Sequence, residues 1–391
     1  MYHLRDELPR AWESRFQETY GVLREEVLDI FDEYLNCGLL CHGAARVYCD
    51  ACKHSLLVAF SCKKRGVCPS CMSKRAVKFA EHLYVEVLDP VPTRHIIFTI
   101  PKRLRNYFRY DRALNTVLFK AAWGSIKEVL GTTTNTPATV LTVQTAGEAL
   151  NFHPHLHGLL ADGVFNSDGT FSQFKVIDLV AITSKFGEAV LAALSKKELL
   201  TDNDVAQILS QTHTGFNVWL GESFQDEASE KFVARYIERG PISLEKLSIQ
   251  DDIVSYTTKD GRAHEFEGLE FLALLSSHIP KPYESITRYY GYYSSRSRGE
   301  RRKRERYLNP TPAIELKPKA TPTWAACMKR ILEIDPLECP KCKSQMRIIA
   351  FITESKEISK IMCSLNIPEF EAPAKLPRAP PSGDFSDMDY F

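Results

Sequence analysis

Residues 151–160 read Asn-Phe-His-Pro-His-Leu-His-Gly-Leu-Leu, and this stretch decides what kind of core the chain forms. Histidines stand at the alternate positions 153, 155 and 157 and lead into an apolar run. Residues two apart in a β-strand point to the same side of the sheet. A strand here therefore places His155 and His157 on one face, where they can bind one divalent metal ion, while Leu156 faces the core. Core packing of the histidines and a structural zinc site are the alternatives.

The segments around this strand alternate between strand and helix patterns. Strand-like runs cover residues 95–100, 138–143 and 155–160, and helical periodicity covers residues 111–130, 176–200 and 229–239. Strands flanked by helices predict an α+β fold, with the catalytic core over residues 91–308.

The N-terminal part, residues 1–90, is predicted to be a small metal-binding domain preceded by an amphipathic helix at residues 12–35. Two Cys-x-x-Cys pairs, Cys49 with Cys52 and Cys68 with Cys71, are separated by fifteen residues. Such paired spacings are typical of a structural zinc site with four thiolates. Unligated core cysteines are the alternative. A second site or simple packing stays open for the remaining candidates, which are Cys37, Cys41, His42, His54 and Cys62.

The C-terminal part changes composition several times. Residues 296–306 contain seven basic and two acidic residues, and residues 309–322 resemble a linker. Residues 323–370 form a predicted small element with a further Cys-x-x-Cys pair, Cys339 and Cys342, as a half-site for zinc. The tail, residues 371–391, is predicted to be disordered.

Overall composition excludes several classes of protein. The chain has 391 residues, 44% of them hydrophobic and 25% charged, with a net charge of +1, which is ordinary for a globular protein. Its apolar runs, such as residues 269–275, are far shorter than the roughly 20 residues that a bilayer-spanning helix needs. Residues 1–7 lack the pattern of a secretory signal. We therefore expect a cytoplasmic protein with no membrane partner.

Residues 288–294, Arg-Tyr-Tyr-Gly-Tyr-Tyr-Ser, pack four tyrosines into five positions. Tyr289 and Tyr293 stand four apart, so a helix would place both phenols on one face. Gly291 disfavours a helix. An aromatic core cluster is the alternative interpretation.

Taken together, these motifs resemble the zinc-binding, HUH-type transposases of rolling-circle insertion sequences over about residues 30–370. The shared features, in the same order, are the cysteine pairs, the His-hydrophobe-His strand, the later tyrosines and the closing Cys-Pro-x-Cys segment. The resemblance implies an HUH-endonuclease-like core, which is an antiparallel sheet flanked by helices. It also implies a small N-terminal zinc-binding domain.

The resemblance further implies roles for particular residues. His155 and His157 would bind catalytic Mg²⁺ or Mn²⁺, with His153 as an additional ligand and Gln144 as a possible third ligand by position. Tyr289 and Tyr293 match the spacing of the two-tyrosine enzymes, and Tyr290 is the main rival nucleophile. The basic residues expected to hold DNA phosphates are Arg296, Arg298, Arg301, Arg302, Lys303 and Arg304.

The implied activity is cleavage and rejoining of single-stranded or hairpin DNA through a 5′-phosphotyrosine link, in a nucleoid-associated bacterial enzyme that moves an insertion sequence. Three alternatives stay open from the sequence. One is a replication initiator or relaxase with the same chemistry. The second is a non-catalytic zinc-containing regulator that binds DNA, and the third is a phosphodiesterase that uses water.

Overall fold

A computed structural model describes residues 4–132, 134–211, 213–226, 229, 233, 236–238, 240–308 and 337–368. Helices in this range are α1 (Leu8–Arg15), α2 (Gln17–Tyr20), α3 (Glu25–Leu35), α4 (Pro69–His82), α5 (Arg105–Tyr110), α6 (Asn115–Leu130), α7 (Leu179–Ser195), α8 (Asp202–Leu209), α9 (Gly268–His278), α10 (Ser295–Leu308) and α11 (Ser355–Ser364). Strands are β1 (Ala44–Tyr48), β2 (Ser55–Ala59), β3 (Thr93–Thr99), β4 (Thr136–Ala146), β5 (Phe152–Phe165), β6 (Phe171–Gln173), β7 (Asn217–Phe224), β8 (Leu247–Gln250), β9 (Ile253–Thr257), β10 (Ala263–Glu267), β11 (Thr287–Gly291) and β12 (Arg347–Ile352).

The central sheet has the strand order β11-β4-β5-β3-β7, with β6 added beside β5. Each of these neighbouring pairs runs antiparallel. The predicted His-x-His strand is the 14-residue β5, in the middle of the sheet. His157 lies opposite Thr142 of β4 on one side and Ile97 of β3 on the other. The predicted α+β architecture with an antiparallel sheet is therefore present.

Alternation along β5 divides the sheet into two faces. Leu156 and Leu160 belong to the largest apolar cluster, which α6 and α7 cover, and Phe98 of β3 meets Phe186 of α7 at 5.0 Å between ring centroids. The opposite side is here named the histidine face, because it carries His155 and His157. Part of it is covered by α4, in a cluster that also contains Val140 and Leu159.

Two smaller antiparallel sheets flank the central one. The first has the order β12-β1-β2, so a strand from the C-terminal part of the chain pairs with β1 of the N-terminal part. The second has the order β10-β9-β8.

The single helix predicted over residues 12–35 was wrong. Helices α1, α2 and α3 replace it, and Gly21, with φ of 79°, ends the second of them. Trp12 and Phe31 pack against Leu272 and other residues of α9, in a cluster that also contains Val67 of the predicted metal-binding domain. The helix expected over residues 229–239 falls mostly outside the described residues. The linker at 309–322, the start of the C-terminal element and the tail at 371–391 lie outside them as well.

The tyrosine-rich segment is a strand rather than a helix, and Gly291 explains where that strand ends. Gly291 adopts φ of +59°, and a Cβ atom there would lie 1.9 Å from the carbonyl oxygen of Pro137 and 2.8 Å from the Trp123 ring. Only glycine tolerates both the left-handed backbone and this close approach. The chain turns at this point and begins α10 at Ser295.

We predict that Gly291→Ala lowers the free energy of unfolding by about 3 kcal/mol, because it combines left-handed strain with overpacking. Gly124→Ala is the matched control. Gly124 lies within α6, and a Cβ there would meet no atom within 4 Å. The control should stabilise the chain by about 0.5–1 kcal/mol. Urea unfolding of both variants checks this, and equal midpoints would contradict it.

Candidate functional site

Two histidines of β5 point their Nε2 atoms at each other. The Nε2 atoms of His155 and His157 are 3.0 Å apart. The Nδ1 of His155 lies 2.6 Å from the carbonyl oxygen of His153, and a carbonyl only accepts, so this Nδ1 carries the hydrogen. Burial lowers the pKa of His155. The imidazole is therefore neutral, and its Nε2 presents a lone pair to the space beside His157.

This spacing fits a shared divalent cation. Two nitrogen ligands at about 2.1 Å from one ion, at the right angle of octahedral coordination, are about 3.0 Å apart. His155 is thus a neutral imidazole, as a metal ligand must be. Among the described residues, no third His, Cys, Asp or Glu forms a group with these two histidines in which all ligand atoms lie within 4.8 Å of one another.

A third imidazole supports the pair from the neighbouring strand. The Nε2 of His95 on β3 lies 3.0 Å from the Nδ1 of His157, and the two rings stack at 5.2 Å. Desolvation by burial lowers the pKa of His95 to about 4 and that of His153 to about 3. Both rings are neutral at physiological pH as a result. His95 could not be recognised from the sequence, because it is the only histidine in its strand.

A tyrosine that the sequence reasoning missed lies beside these rings. The ring centroid of Tyr236 is 5.5 Å from that of His157 and 6.1 Å from that of His95. Gln144 holds the tyrosine's backbone, because its Nε2 donates to the carbonyl oxygens of Tyr236 at 3.1 Å and Ile237 at 2.7 Å. Gln144, the possible third ligand by position, lines the cavity, and its amide nitrogen is engaged with this backbone. In the sequence, nothing distinguishes Tyr236 from the other fifteen tyrosines.

The four clustered tyrosines lie elsewhere. Tyr290 points to the α6 side and stacks on Trp123 at 5.3 Å. Tyr293 is 0% exposed and packs against Phe165. Tyr289 shares the histidine face but contacts the ring of His82 of α4. Burial raises the pKa of both Tyr289 and Tyr290, which disfavours their phenolates.

His153, His155, His157 and Tyr236 line one open cavity of about 450 Å³. This volume falls within the range of about 300–1,000 Å³ that is usual for binding sites. The lining also includes apolar side chains such as Met72 and Ile97, and its further charged or polar residues include Arg65, Thr142, Gln144, Glu238, Lys246, Lys259 and His278. None of the clustered tyrosines lines it.

The predicted DNA-binding run forms α10, and its residues divide into two groups. Arg298 and Arg301 lie over the rings of Tyr289 and Tyr292 at 5.2 and 3.5 Å, so they pack against the tyrosine segment. Arg302 forms an ion pair with Glu86. The outward group consists of Arg296, which pairs with Glu300 along the helix, and of the exposed Lys303 and Arg304.

The cysteines form two four-thiol clusters, and the partners predicted from the sequence were wrong. One cluster joins Cys37, Cys62, Cys68 and Cys71; the other joins Cys49, Cys52, Cys339 and Cys342. The pairs Cys49–Cys52 and Cys68–Cys71 therefore belong to different sites. Two of the cysteines left open complete the first site, and the C-terminal half-site completes the second.

Both clusters fit zinc. Four sulfurs at about 2.3 Å from a tetrahedral ion are about 3.8 Å from one another. Sulfur pairs in the first cluster lie 3.6–3.8 Å apart, and in the second Cys49 lies 3.5 Å from Cys342 and Cys52 lies 3.5 Å from Cys339. Four sulfur ligands close the coordination shell, which is typical of structural zinc.

The second cluster is built from two knuckles with the same backbone. Lys53 and Lys343, each directly after a Cys-x-x-Cys pair, both adopt φ of 62°. Each lysine donates its N–H to the carbonyl of the first cysteine, Cys49 or Cys339, at 2.9 Å. The pairing of β12 with β1 brings the two knuckles together.

Two family models match the chain in consecutive order. A model described as "Transposase zinc-binding domain" matches residues 8–100, and one described as "Putative transposase" matches residues 139–301. The first span contains the first cysteine cluster, and the second contains the histidine strand, Tyr236 and the clustered tyrosines. The fold and site therefore belong to a transposase with an N-terminal zinc-binding domain, and the resemblance noted from the sequence is confirmed.

Curated relatives agree with this assignment. The transposase for insertion sequence element IS801 of Pseudomonas savastanoi pv. phaseolicola is 24% identical over 88% of this chain and 88% of its own length. The "Putative transposase y4qJ" of Sinorhizobium fredii (strain NBRC 101917 / NGR234) is 25% identical over 65% of this chain and 71% of its own length. No solved structure matches significantly. The two matched models and these relatives identify the chain as a transposase, which implies DNA transposition.

The described part of the chain holds no helix with both the length and the apolar character that crossing a bilayer requires.

We predict that the purified chain binds two zinc ions, and that Cys37→Ser and Cys339→Ser each remove one of them. A closed thiolate shell that loses one sulfur loses most of its affinity for zinc. Cys363→Ser is the matched control, because this cysteine is exposed and belongs to neither cluster. Metal analysis of the three variants checks the pairing. If Cys339→Ser kept both ions, the second cluster would not be a zinc site.

Proposed function

We propose that this transposase cuts a single DNA strand with Tyr236 as the nucleophile, next to a divalent cation held by His155 and His157. The observation that carries the proposal is their shared cavity, in which the Tyr236 ring lies 5.5 Å from that of His157. A phenol beside a metal-binding imidazole pair has what phosphoryl transfer needs, which is a nucleophile and positive charge near the phosphate.

The proposed fold of the core is that of an HUH endonuclease. Support comes from the antiparallel sheet, from the placement of the His-x-His pair on its middle strand, and from the helices α6 and α7 on the other face. Because β3, β4 and β5 are all paired on both sides, the histidine face is held rigidly under the cavity.

The proposed reaction is a transesterification. The Tyr236 phenol oxygen attacks the scissile phosphorus, a bond from oxygen to phosphorus forms, and the bond from phosphorus to the 3′ oxygen breaks. The phenolic proton lost is balanced by the proton that the departing 3′-hydroxyl gains. The product is a 5′-phosphotyrosine, which a 3′-hydroxyl can later attack, so that rejoining needs no other energy source.

The histidines have separate tasks in this proposal. A bound Mg²⁺ or Mn²⁺ would stabilise the charge that develops on the phosphate oxygens. His155 and His157 present their Nε2 atoms to that cation, and His153 orients His155 through its carbonyl oxygen. His157 then keeps its proton on Nδ1 and donates it to the Nε2 of His95. His95 is therefore an orienting partner of the metal ligand.

The proposed substrate is single-stranded DNA or the unpaired part of a hairpin, because the attack requires one accessible phosphate. Lys246 and Lys259 at the cavity can neutralise the strand's phosphates. The exposed residues Lys303 and Arg304 of α10 extend that positive charge, with little base specificity.

We predict that Tyr236→Phe abolishes formation of the covalent protein–DNA adduct, whereas Tyr290→Phe and Tyr293→Phe retain it within about threefold, because neither phenol lines the cavity. His155→Ala should also lose the adduct, since it removes one of the two imidazoles. The assay uses oligonucleotides with the ends of the mobile element that encodes the chain, Mg²⁺ or Mn²⁺, and a denaturing gel.

Other outcomes identify the alternatives. An adduct that forms with Tyr236→Phe but not with Tyr289→Phe would identify Tyr289 as the nucleophile. Tyr289 lies on β11 and belongs to the histidine face. Cleavage without an adduct would indicate a phosphodiesterase that uses water. Binding of these ends without cleavage would indicate a regulator.

A further inference from the structure

We propose that the zinc-binding domain positions the nucleophile: helix α4, which starts at the first cysteine cluster, holds the segment formed by residues 236–238 and 240 against the catalytic sheet through Arg75 and Met72. The inference rests on the proposed role of Tyr236 as the nucleophile. Arg75 and Met72 would act through Glu238 and Gly240, respectively, and are therefore positioning residues.

An ion pair makes the first contact. The Nε of Arg75 lies 2.5 Å from Oε1 of Glu238, whose side chain is only 1% exposed. The other carboxylate oxygen lies 3.5 Å from the hydroxyl of Thr287 on β11. A buried carboxylate without a charged partner is strongly unfavourable, so Glu238 depends on Arg75. Since Glu238 follows Tyr236 by two residues, the ion pair fixes the backbone next to the nucleophile.

The second contact between α4 and this segment is apolar and close. A Cβ atom at Gly240 would lie 3.2 Å from both Cβ and Cγ of Met72, so the backbone of the segment lies directly on this side chain. Met72 is 6% exposed, and its sulfur accepts a hydrogen bond from the N–H of Gly66. Met72 and Arg75 are three apart on α4 and therefore share one side of the helix.

The first cysteine cluster sets the position of the side of α4 that carries Met72 and Arg75. Cys68 is the N-cap of α4, Pro69 is its first residue, and Cys71 lies in its first turn. Arg75 follows Cys71 by four residues, one helical turn. A zinc ion that binds Cys68 and Cys71 fixes the start of the helix, and with it the places of Met72 and Arg75.

The catalytic sheet holds the same segment from the other direction. Gln144 donates to the carbonyls of Tyr236 and Ile237, and it lies opposite His155 in the sheet. The segment is thus held between β4 and α4. Misplacing a reacting group by about 1 Å costs about a hundredfold in rate, so this clamp should matter for the rate of attack.

The test compares Arg75→Gln, Glu238→Gln and the double variant with Lys78→Ala. Lys78 is an exposed residue on the same helix, and its replacement removes one positive charge without touching Glu238. Adduct formation is timed in a single turnover at saturating oligonucleotide, and DNA affinity is measured separately. Zinc content is measured for each variant to confirm that the cysteine clusters are intact.

We expect Arg75→Gln and Glu238→Gln each to slow adduct formation by about ten- to a hundredfold, with DNA affinity within about twofold of the unmodified chain. The double variant should be no slower than the slower single variant, because the two residues act as one pair. Lys78→Ala should change the rate less than about twofold. A weaker DNA affinity with an unchanged saturated rate would assign Arg75 to phosphate binding and overturn the proposal, as would rates that are unchanged throughout.

Hydrogen–deuterium exchange of the peptide that contains Tyr236 separates this inference from the proposed function, because it requires no cleavage. Arg75→Gln should speed exchange there by about tenfold relative to Lys78→Ala. If the unmodified chain forms no adduct but this exchange still responds, the clamp stands and the role of Tyr236 fails. Equal exchange in both variants would refute the clamp whatever the chemistry.

Discussion

The pairing register of β5 is the constraint on which the rest of the site depends. Opposite β5, Thr142 of β4 and Ile97 of β3 fix the strand so that His155 and His157 face the cavity and Leu156 faces the core. A slip of one residue would exchange these faces completely. It would bury imidazoles among the side chains of α6 and α7 and leave apolar residues at the cavity. The apolar cluster on the far face therefore enforces the geometry of the histidine pair.

Gly158 shows how closely the strand sequence is tied to that register. A Cβ atom at this position would lie 2.5 Å from a side-chain carbon of Leu141 and 2.8 Å from the carbonyl oxygen of Val140. The residue directly after His157 must therefore be small, because β4 approaches β5 closely here. The motif carries its two metal-binding candidates and the glycine that lets the neighbouring strand pack beside them.

The sequence predicted the features that depend on local pattern. Strand alternation identified β5 and its shared histidine face, and the Cys-x-x-Cys spacing identified zinc knuckles. The pairing of knuckles was not predictable, because β12 brings Cys339 and Cys342 to Cys49 and Cys52 across nearly the whole chain. Cysteine spacing suggests that pairs close in sequence share one zinc ion, whereas the strand order of the sheet decides which pairs lie close in space. The resemblance to zinc-binding transposases rested on the order of the motifs along the chain. That order does not depend on which cysteine pairs share a zinc ion.

Tyr236 could not be chosen from the sequence for a similar reason. A conspicuous cluster at residues 288–294 drew the assignment, but aromatic clusters also form where strands and helices pack, as Tyr290 does on Trp123. What distinguishes Tyr236 is its surroundings: His157, His95, Gln144 and the cavity, each from a different part of the chain. None of these contacts leaves a spacing signal.

The most direct test of the account is to identify the residue that becomes attached to DNA. The chain would be allowed to cleave an oligonucleotide from its own element's end, digested with nuclease and protease, and the peptide that carries the nucleotide sequenced by mass spectrometry. We expect a nucleotide joined through its 5′ phosphate to the phenol oxygen of Tyr236, in the cavity that this tyrosine shares with His155 and His157. A nucleotide attached to Tyr289 or Tyr293, or to a residue outside this cavity, would contradict the proposed role of Tyr236.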